Sequence, residues 1–349
     1  MIKDKVLLED LMFLNEKVFN SGYFNNKTIL VTGATGLVGS LIVKSILYAN
    51  QELNSNISVV ASVRNIEKAN LIFSDFKHSE HLFFAKADLL QLLDFEQKVD
   101  FIIHTVSITA SKEMVDNPTG VLLTAFESTK QLLEYMKLNP ECRMVYISSM
   151  EYYGQLFDDH NVTEEKLGYI DMSKPRSSYP ESKRICEMLC NSYASQYNLN
   201  VCSARLAQTF GAGVPFSDNR VFAQFAKSAM NKTNIILHTT GKSEGNYCYT
   251  ADAVYGIFIL LEKGVRGQSY NVANSHSSIL DMANMVAEKI ANNQIKVEVC
   301  IPENAASLGY APEVRMKLNS DKLKALGWSP LISLENMFKR MIISWESKG

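Results

Sequence analysis

Tyr179 and Lys183 are the residues whose types and spacing point most directly to chemistry. They stand four apart in Ser177-Ser178-Tyr179-Pro180-Glu181-Ser182-Lys183, so a helix carries both on one face. Pro180 suits the first turn of that helix. A nearby ammonium favours a phenolate over a phenol, which yields a general acid or base for neutral pH. Upstream, the apolar run Met144-Val145-Tyr146-Ile147 ends in Ser148-Ser149. A strand ending there places the Ser149 hydroxyl where it can bond the same substrate oxygen. Any Tyr-x-x-x-Lys pair arises often by chance. What gives this one weight is its order after the glycine-rich segment described next.

That segment is TGATGLVG at 32–39. Ile29-Leu30-Val31 precedes it and a helical apolar pattern, Leu41-Ile42-Val43 with Ile46-Leu47, follows it. Strand, glycine turn and helix are the context in which such a motif holds a pyrophosphate. Gly33 permits the turn, Gly36 lets backbone approach the phosphates, and Gly39 lets the helix pack on the strand. The free N–H groups of the helix start, around Thr35, Leu37 and Val38, supply the donors.

Further strands are expected at 57–63, 83–88, 101–104 and 144–147, with helices between them. Alternating strands and helices predict an α/β fold, a Rossmann-like doubly wound parallel sheet with ligands at the strands' carboxyl ends. The second strand ends Ser62-Val63-Arg64-Asn65. No carboxylate stands there for a ribose 2′-hydroxyl, and Arg64 suits a 2′-phosphate. This favours NADP(H), with NAD(H) the alternative. Asp88, ending the third strand, is placed for an adenine amino group or as a helix cap. His104 ends a buried run and reads as a packed strand-end histidine.

The charge balance offers no basic field for nucleic acid: the net charge is −2 and no block of like charge occurs. The six cysteines have irregular spacing without a CxxC pair, so no metal site is expected and free thiols in a reducing cytoplasm are. No apolar stretch reaches spanning length, and the N-terminus lacks a signal-peptide core. Leu7, Leu8, Leu11, Met12, Leu14 and Val18 have helical spacing, which predicts an amphipathic helix laid on the main domain rather than on a membrane surface. Asp252 is expected to cap a helix over 252–263.

With TGATGLVG, Asp88, SSMEYYG, YPESK, RLAQTFGAG at 205–213, YCYTADAV at 247–254 and LGW at 326–328 in place, the chain resembles the extended short-chain dehydrogenase/reductase family, the nucleotide-sugar epimerases, dehydratases, decarboxylases and reductases. The resemblance covers 27 to about 345. It implies catalytic roles for Ser149, Tyr179 and Lys183, and a dinucleotide lined also by Leu89, Thr105, Val106 and Ser148. It implies an N-terminal extension over 1–25, a Rossmann domain over 26–205 plus about 249–273, and a smaller C-terminal α/β substrate-binding domain over 206–248 and 274–349. Helices at about 118–137 and 179–197 would pack against a second subunit as a homodimer.

Within that family Glu151 matches a glutamate of dehydratases and decarboxylases, which makes it a fourth catalytic candidate. The aspartate that dehydratases carry before it is here Met150, which cannot protonate a leaving hydroxyl. Gly245 stands where an arginine is frequent, Gln208 and Ala125 where asparagines are. Gln208 is carried over as a substrate contact, Arg220 and Arg315 match positions that contact the nucleotide, and Lys242 is the candidate replacement for the missing arginine. These departures suggest a non-standard substrate such as an open-chain sugar or alditol precursor. The reading is a hydride-transferring enzyme acting on a nucleotide-linked sugar or alditol, NADPH-dependent reduction first. A redox-neutral epimerase or decarboxylase with tightly bound NAD is the alternative, and a non-catalytic dinucleotide sensor the remote one.

Overall fold

The computed structural model describes residues 2–86, 98–156, 161–301 and 314–347. Seven strands form the main sheet: β1 (Thr28–Thr32), β2 (Ser58–Val63), β3 (Leu82–Lys86), β4 (Phe101–His104), β5 (Arg143–Ser149), β6 (Asn200–Leu206) and, last in space and sequence, β10 (Ser269–Val272). Their order is β10-β6-β5-β4-β1-β2-β3 and every pairing is parallel. The central strands are buried on both faces, which is why β1, β4 and β5 read as near-continuous apolar runs. The strand order reverses beside β1, between β2 and β4, so a crevice opens at their carboxyl ends.

Helices cover both faces: α1 (Lys5–Leu14), α2 (Leu37–Leu53), α3 (Ile66–Ile72), α4 (Ser111–Asp116), α5 (Pro118–Leu138), α6 (Ser178–Tyr197), α7 (Val221–Asn231), α8 (Thr250–Lys263), α9 (Ile279–Met285), α10 (Asp321–Lys324) and α11 (Leu334–Glu346). The smaller strands are β7 (Gln208–Phe210), β8 (Ile235–Leu237), β9 (Glu244–Tyr249), β11 (Ser275–Ser278) and β12 (Val297–Val299), in a β11-β9-β7 sheet and a β12-β8 pair. Among the described residues no helix is long and apolar enough to cross a membrane.

The N-terminal helix is amphipathic as its spacing predicts. Val6, Leu7, Leu11 and Leu14 are buried, and Asp4 caps its first turn through the Val6 and Leu7 N–H groups. Arg340 of α11 locks it in place, pairing with Asp10 at 2.8 Å while the Tyr249 hydroxyl donates to the same carboxylate at 2.8 Å. One expectation fails here. Asp252 is not the cap of α8, which begins at Thr250; its buried carboxylate accepts from the Leu331 and Ile332 N–H groups, each at 3.0 Å. The helix starts earlier than the polar residue suggests, and the carboxylate ties down the strap that leads into α11.

Candidate active site

The glycine turn behaves as its residues dictate. Gly33 has φ +64°, a left-handed conformation, and a Cβ there would stand 2.5 Å from Thr105 Oγ1. That hydroxyl donates to the Thr32 carbonyl at 2.6 Å, which joins the ends of β1 and β4. A Cβ at Gly39 would strike the Gly33 carbonyl, so α2 packs against its own entry turn only with glycine there. Gly36 precedes α2 with no side-chain cap. The first N–H groups of this helix therefore face the crevice without a protein acceptor of that kind.

The crevice is a cleft of about 630 Å³. Gly33, Thr35, Gly36, Leu37, Val38 and Gly39 line it from the turn, Arg64 from the end of β2, Thr105 and Val106 from the end of β4. Ser148, Ser149, Glu151, Tyr179 and Lys183 line its other end, with Gln208 and Arg220. Asp88 and Leu89 lie outside the described residues. Lys242 and Arg315 are exposed and are not among the residues lining this cleft.

The hydroxyls of Ser107 and Ser148 have no partner although both are buried atoms of cleft-lining residues. Unsatisfied donors beside an open helix start are what a polar ligand would complete. A dinucleotide fits this half of the cleft on those grounds.

At the catalytic end β5 delivers Ser149 and α6 delivers Tyr179 and Lys183. The Ser149 hydroxyl accepts the Glu151 N–H at 3.2 Å and also hydrogen-bonds the Tyr179 phenol. Lys183 is buried and its Nζ donates to the Ile147 carbonyl at 2.9 Å, lying 5.5 Å from the centroid of the Tyr179 ring. Here the structure departs from expectation. Burial pushes the phenol up to about 12, the Glu151 carboxylate adding to the rise, and burial brings the Lys183 ammonium down to about 8. The lysine's proximity does not win, because desolvation of a phenolate outweighs a charge already engaged with a backbone carbonyl. In this state Tyr179 holds its proton.

Glu151 sits in the turn Met150–Tyr153 just past β5. It meets Arg176 in a two-point pair, Nη2 to Oε1 at 3.0 Å and Nη1 to Oε2 at 2.8 Å. The guanidinium lies 5.9 Å from the Tyr179 ring centroid. Arg176 was not singled out from the sequence. The available signal was its position three before Tyr179, one helical turn away.

Around this end the walls are rigid. Arg184 donates to the carbonyls of Tyr152 at 2.8 Å and Gly168 at 2.7 Å. The buried pair Arg205–Glu187 at 2.8 Å holds the Tyr153 hydroxyl, which in turn donates to Asn271 at 2.6 Å. His104 is fully packed between Thr32 and Thr129, at 2.7 and 3.1 Å, and burial lowers it to about 3, so it stays neutral.

A family model described as the NAD dependent epimerase/dehydratase family matches residues 29–273. The chain belongs to that family. It is accordingly an extended short-chain dehydrogenase, an enzyme. It is 26% identical over 334 residues to UDP-glucuronic acid decarboxylase 1 of Xenopus tropicalis, covering 95% of this chain and 73% of that protein. To UDP-glucuronic acid decarboxylase 6 of Arabidopsis thaliana it is 27% identical over 321 residues, covering 90% and 88%. Among solved structures, UDP-glucuronic acid 4-epimerase from Bacillus cereus, in complex with UDP-glucuronic acid and NAD, superposes with a TM-score of 0.74 at 21% identity, covering 92% and 100%. The dTDP-glucose 4,6-dehydratase of Bacillus anthracis in complex with NAD gives 0.74 at 20%, covering 92% and 96%. At these identities the structural likeness establishes the shared fold.

Proposed function

We propose that this enzyme converts a nucleotide-linked uronic acid without net oxidation or reduction, with decarboxylation the favoured outcome and epimerisation the variant of it. The observation that carries this reading is Glu151, a carboxylate set beside the phenol with Met150 rather than a second acid before it. Simple reduction needs one proton donor, and Tyr179 is enough for that. A carboxylate in the same cleft suits chemistry in which a carbon of the skeleton also takes up a proton. The decarboxylases at 26% and 27% identity support the same class.

A bound nicotinamide supplies the hydride acceptor and donor in this chemistry. The chain's own residues do the rest. Tyr179 takes the proton of the reacting sugar hydroxyl and later gives it back. Ser149 fixes that oxygen. Lys183 places positive charge beneath the phenol. Loss of the carboxylate as carbon dioxide leaves electron density on the sugar carbon, and Glu151, once it has taken a proton from solvent, passes that proton to the carbon. Gln208 and Arg220, which line the cleft beyond the catalytic end, face the substrate. The exposed Leu122, Leu123, Ile185 and Met188 on α5 and α6 support a homodimer across those helices.

The test is turnover of UDP-glucuronic acid by the purified protein, given one equivalent of dinucleotide and no regenerating system. Many turnovers per dinucleotide are expected. No turnover of UDP-glucuronic acid, with one NADPH consumed per product from a nucleotide-linked keto sugar, would establish the second reading, NADPH-dependent reduction.

That second reading has its own support. Arg64 lines the cleft at the end of β2 with Lys68 one turn into α3, and Glu151 is the one carboxylate among the described lining residues. Two cations without a carboxylate suit a 2′-phosphate, so NADP(H) is the proposed form under the reductive reading, while the redox-neutral one takes NAD, which the two superposed structures hold. Arg64→Ala should weaken NADPH binding about 30-fold and NADH binding less than threefold, read by nicotinamide fluorescence titration. Equal losses would remove Arg64 from recognition of the 2′ position.

A further inference from the structure

Arg176 and Glu151 are held face to face at the mouth of the catalytic end, the arginine side chain 40% and the glutamate 35% exposed. Exposure at this level leaves both able to exchange partners with an entering ligand. The pair is bidentate, so the guanidinium already displays its complement: a carboxylate met by two N–H groups. A second guanidinium, Arg220, lines the cleft too, but Asp218 occupies it at 2.6 Å from the same short segment.

The position from which another arginine might reach the site is closed. Gly245 has no side chain, and a Cβ there would run into the Tyr247 hydroxyl, which is buried and has no partner. A neighbouring bulky residue thus fills the route, and Lys242 does not line the cleft. Of the cleft-lining guanidiniums, Arg176 is the one paired with a carboxylate of the cleft itself, and it lies 5.9 Å from the centroid of the phenol ring.

We infer that Arg176 is the substrate-reading residue of this enzyme: it receives the carboxylate of a nucleotide-linked uronic acid, which displaces Glu151 from it. The inference rests on the proposed conversion of a nucleotide uronic acid. The exchange is like for like, one carboxylate leaving a guanidinium as another arrives, so the cleft's charge balance around Arg176 is kept. On a pyranuronic acid whose C4 hydroxyl meets Tyr179, the carboxylate is two bonds from C4. It is therefore held within a few ångströms of the phenol, and Arg176 lies 5.9 Å from that ring's centroid. Displacement also frees Glu151 toward the sugar, which couples recognition of the acid to release of the second proton-transfer group. Neutral nucleotide sugars leave the Arg176–Glu151 pair closed and Glu151 out of use.

The experiment is isothermal titration of UDP-glucuronic acid and UDP-glucose into the dinucleotide-loaded full chain. Four forms are compared in a Tyr179→Phe background that prevents turnover: unaltered at 176 and 151, Arg176→Met, Arg176→Lys, and Glu151→Gln. Arg176→Met should weaken UDP-glucuronic acid about 30-fold and UDP-glucose less than threefold, the range for a lost charge-assisted contact. Arg176→Lys should restore part of that loss. Glu151→Gln removes the competing carboxylate and should tighten UDP-glucuronic acid several-fold while leaving UDP-glucose unchanged. Equal weakening of both sugars by Arg176→Met, or no tightening in Glu151→Gln, overturns the exchange and leaves the proposed conversion standing. Failure of the unaltered form to bind either sugar overturns both.

Discussion

Tyr179→Phe should cut turnover by about 1,000-fold while dinucleotide and nucleotide-sugar affinities move less than about threefold. The ring is buried against Met114 and Val121 and stays so as phenylalanine. Only the hydroxyl is lost, and with it the group that exchanges a proton with the sugar oxygen. Because the phenol stands at about 12 in this unliganded state, the remaining rate in the unaltered enzyme should rise with pH through the alkaline range wherever proton removal limits. The residual rate of the phenylalanine variant should lose that slope. Steady-state kinetics against pH, with binding followed by titration calorimetry, measures both. A variant that keeps full turnover would assign the proton to another group.

Lys183→Met carries the second large effect, and it has two signs. Turnover should fall at least 1,000-fold, since the charge beneath the phenol is lost. Stability at pH 7 should rise by about 2 kcal/mol in protein freed of dinucleotide. The ammonium is buried and its folded-state value falls from 10.5 to about 8. Below pH 8 both folded and unfolded chains carry the proton, so the fold bears the whole cost of burying the charge. Between pH 8 and 10.5 the folded chain sheds the proton first, the cost fades, and unaltered protein gains stability. Methionine removes that cost, less about 1 kcal/mol for the Ile147 carbonyl left without its donor. The difference between variant and parent should therefore shrink toward pH 10.5. Chemical denaturation at pH 7 and pH 10 reads it; a variant less stable than its parent at pH 7 would show that the hydrogen bond outweighs the burial.

Local signals made much of this molecule readable before its coordinates. The glycine turn worked because Gly33 and Gly39 answer to backbone sterics within eight residues, and such constraints are written in sequence. The placement of Tyr179 beside Lys183 is legible because helical spacing alone brings them together. What stayed hidden depends on distance in sequence. The value of the phenol follows from desolvation by the whole cleft, and no spacing rule reports that. Asp252 looked like a cap because its partners, the Leu331 and Ile332 N–H groups, lie about eighty residues away. Lys242 seemed a plausible substitute for an arginine at 245, yet the turn at Gly241 carries it to the surface. Arg176 is hidden for the opposite reason: its neighbours in sequence lead to Tyr179, and its significance comes from Glu151, which stands against it from another element.

Redox neutrality is most directly tested with nucleotide-linked glucuronic acid carrying deuterium at C4. If the sugar's own hydrogen is removed and restored within one closed cleft, product formed by dinucleotide-loaded enzyme in ordinary water should keep the label at C4 by mass spectrometry and NMR. Loss of that label to solvent, or product formed only in step with oxidation of added NADPH, would contradict the mechanism built on Tyr179, Lys183 and Glu151.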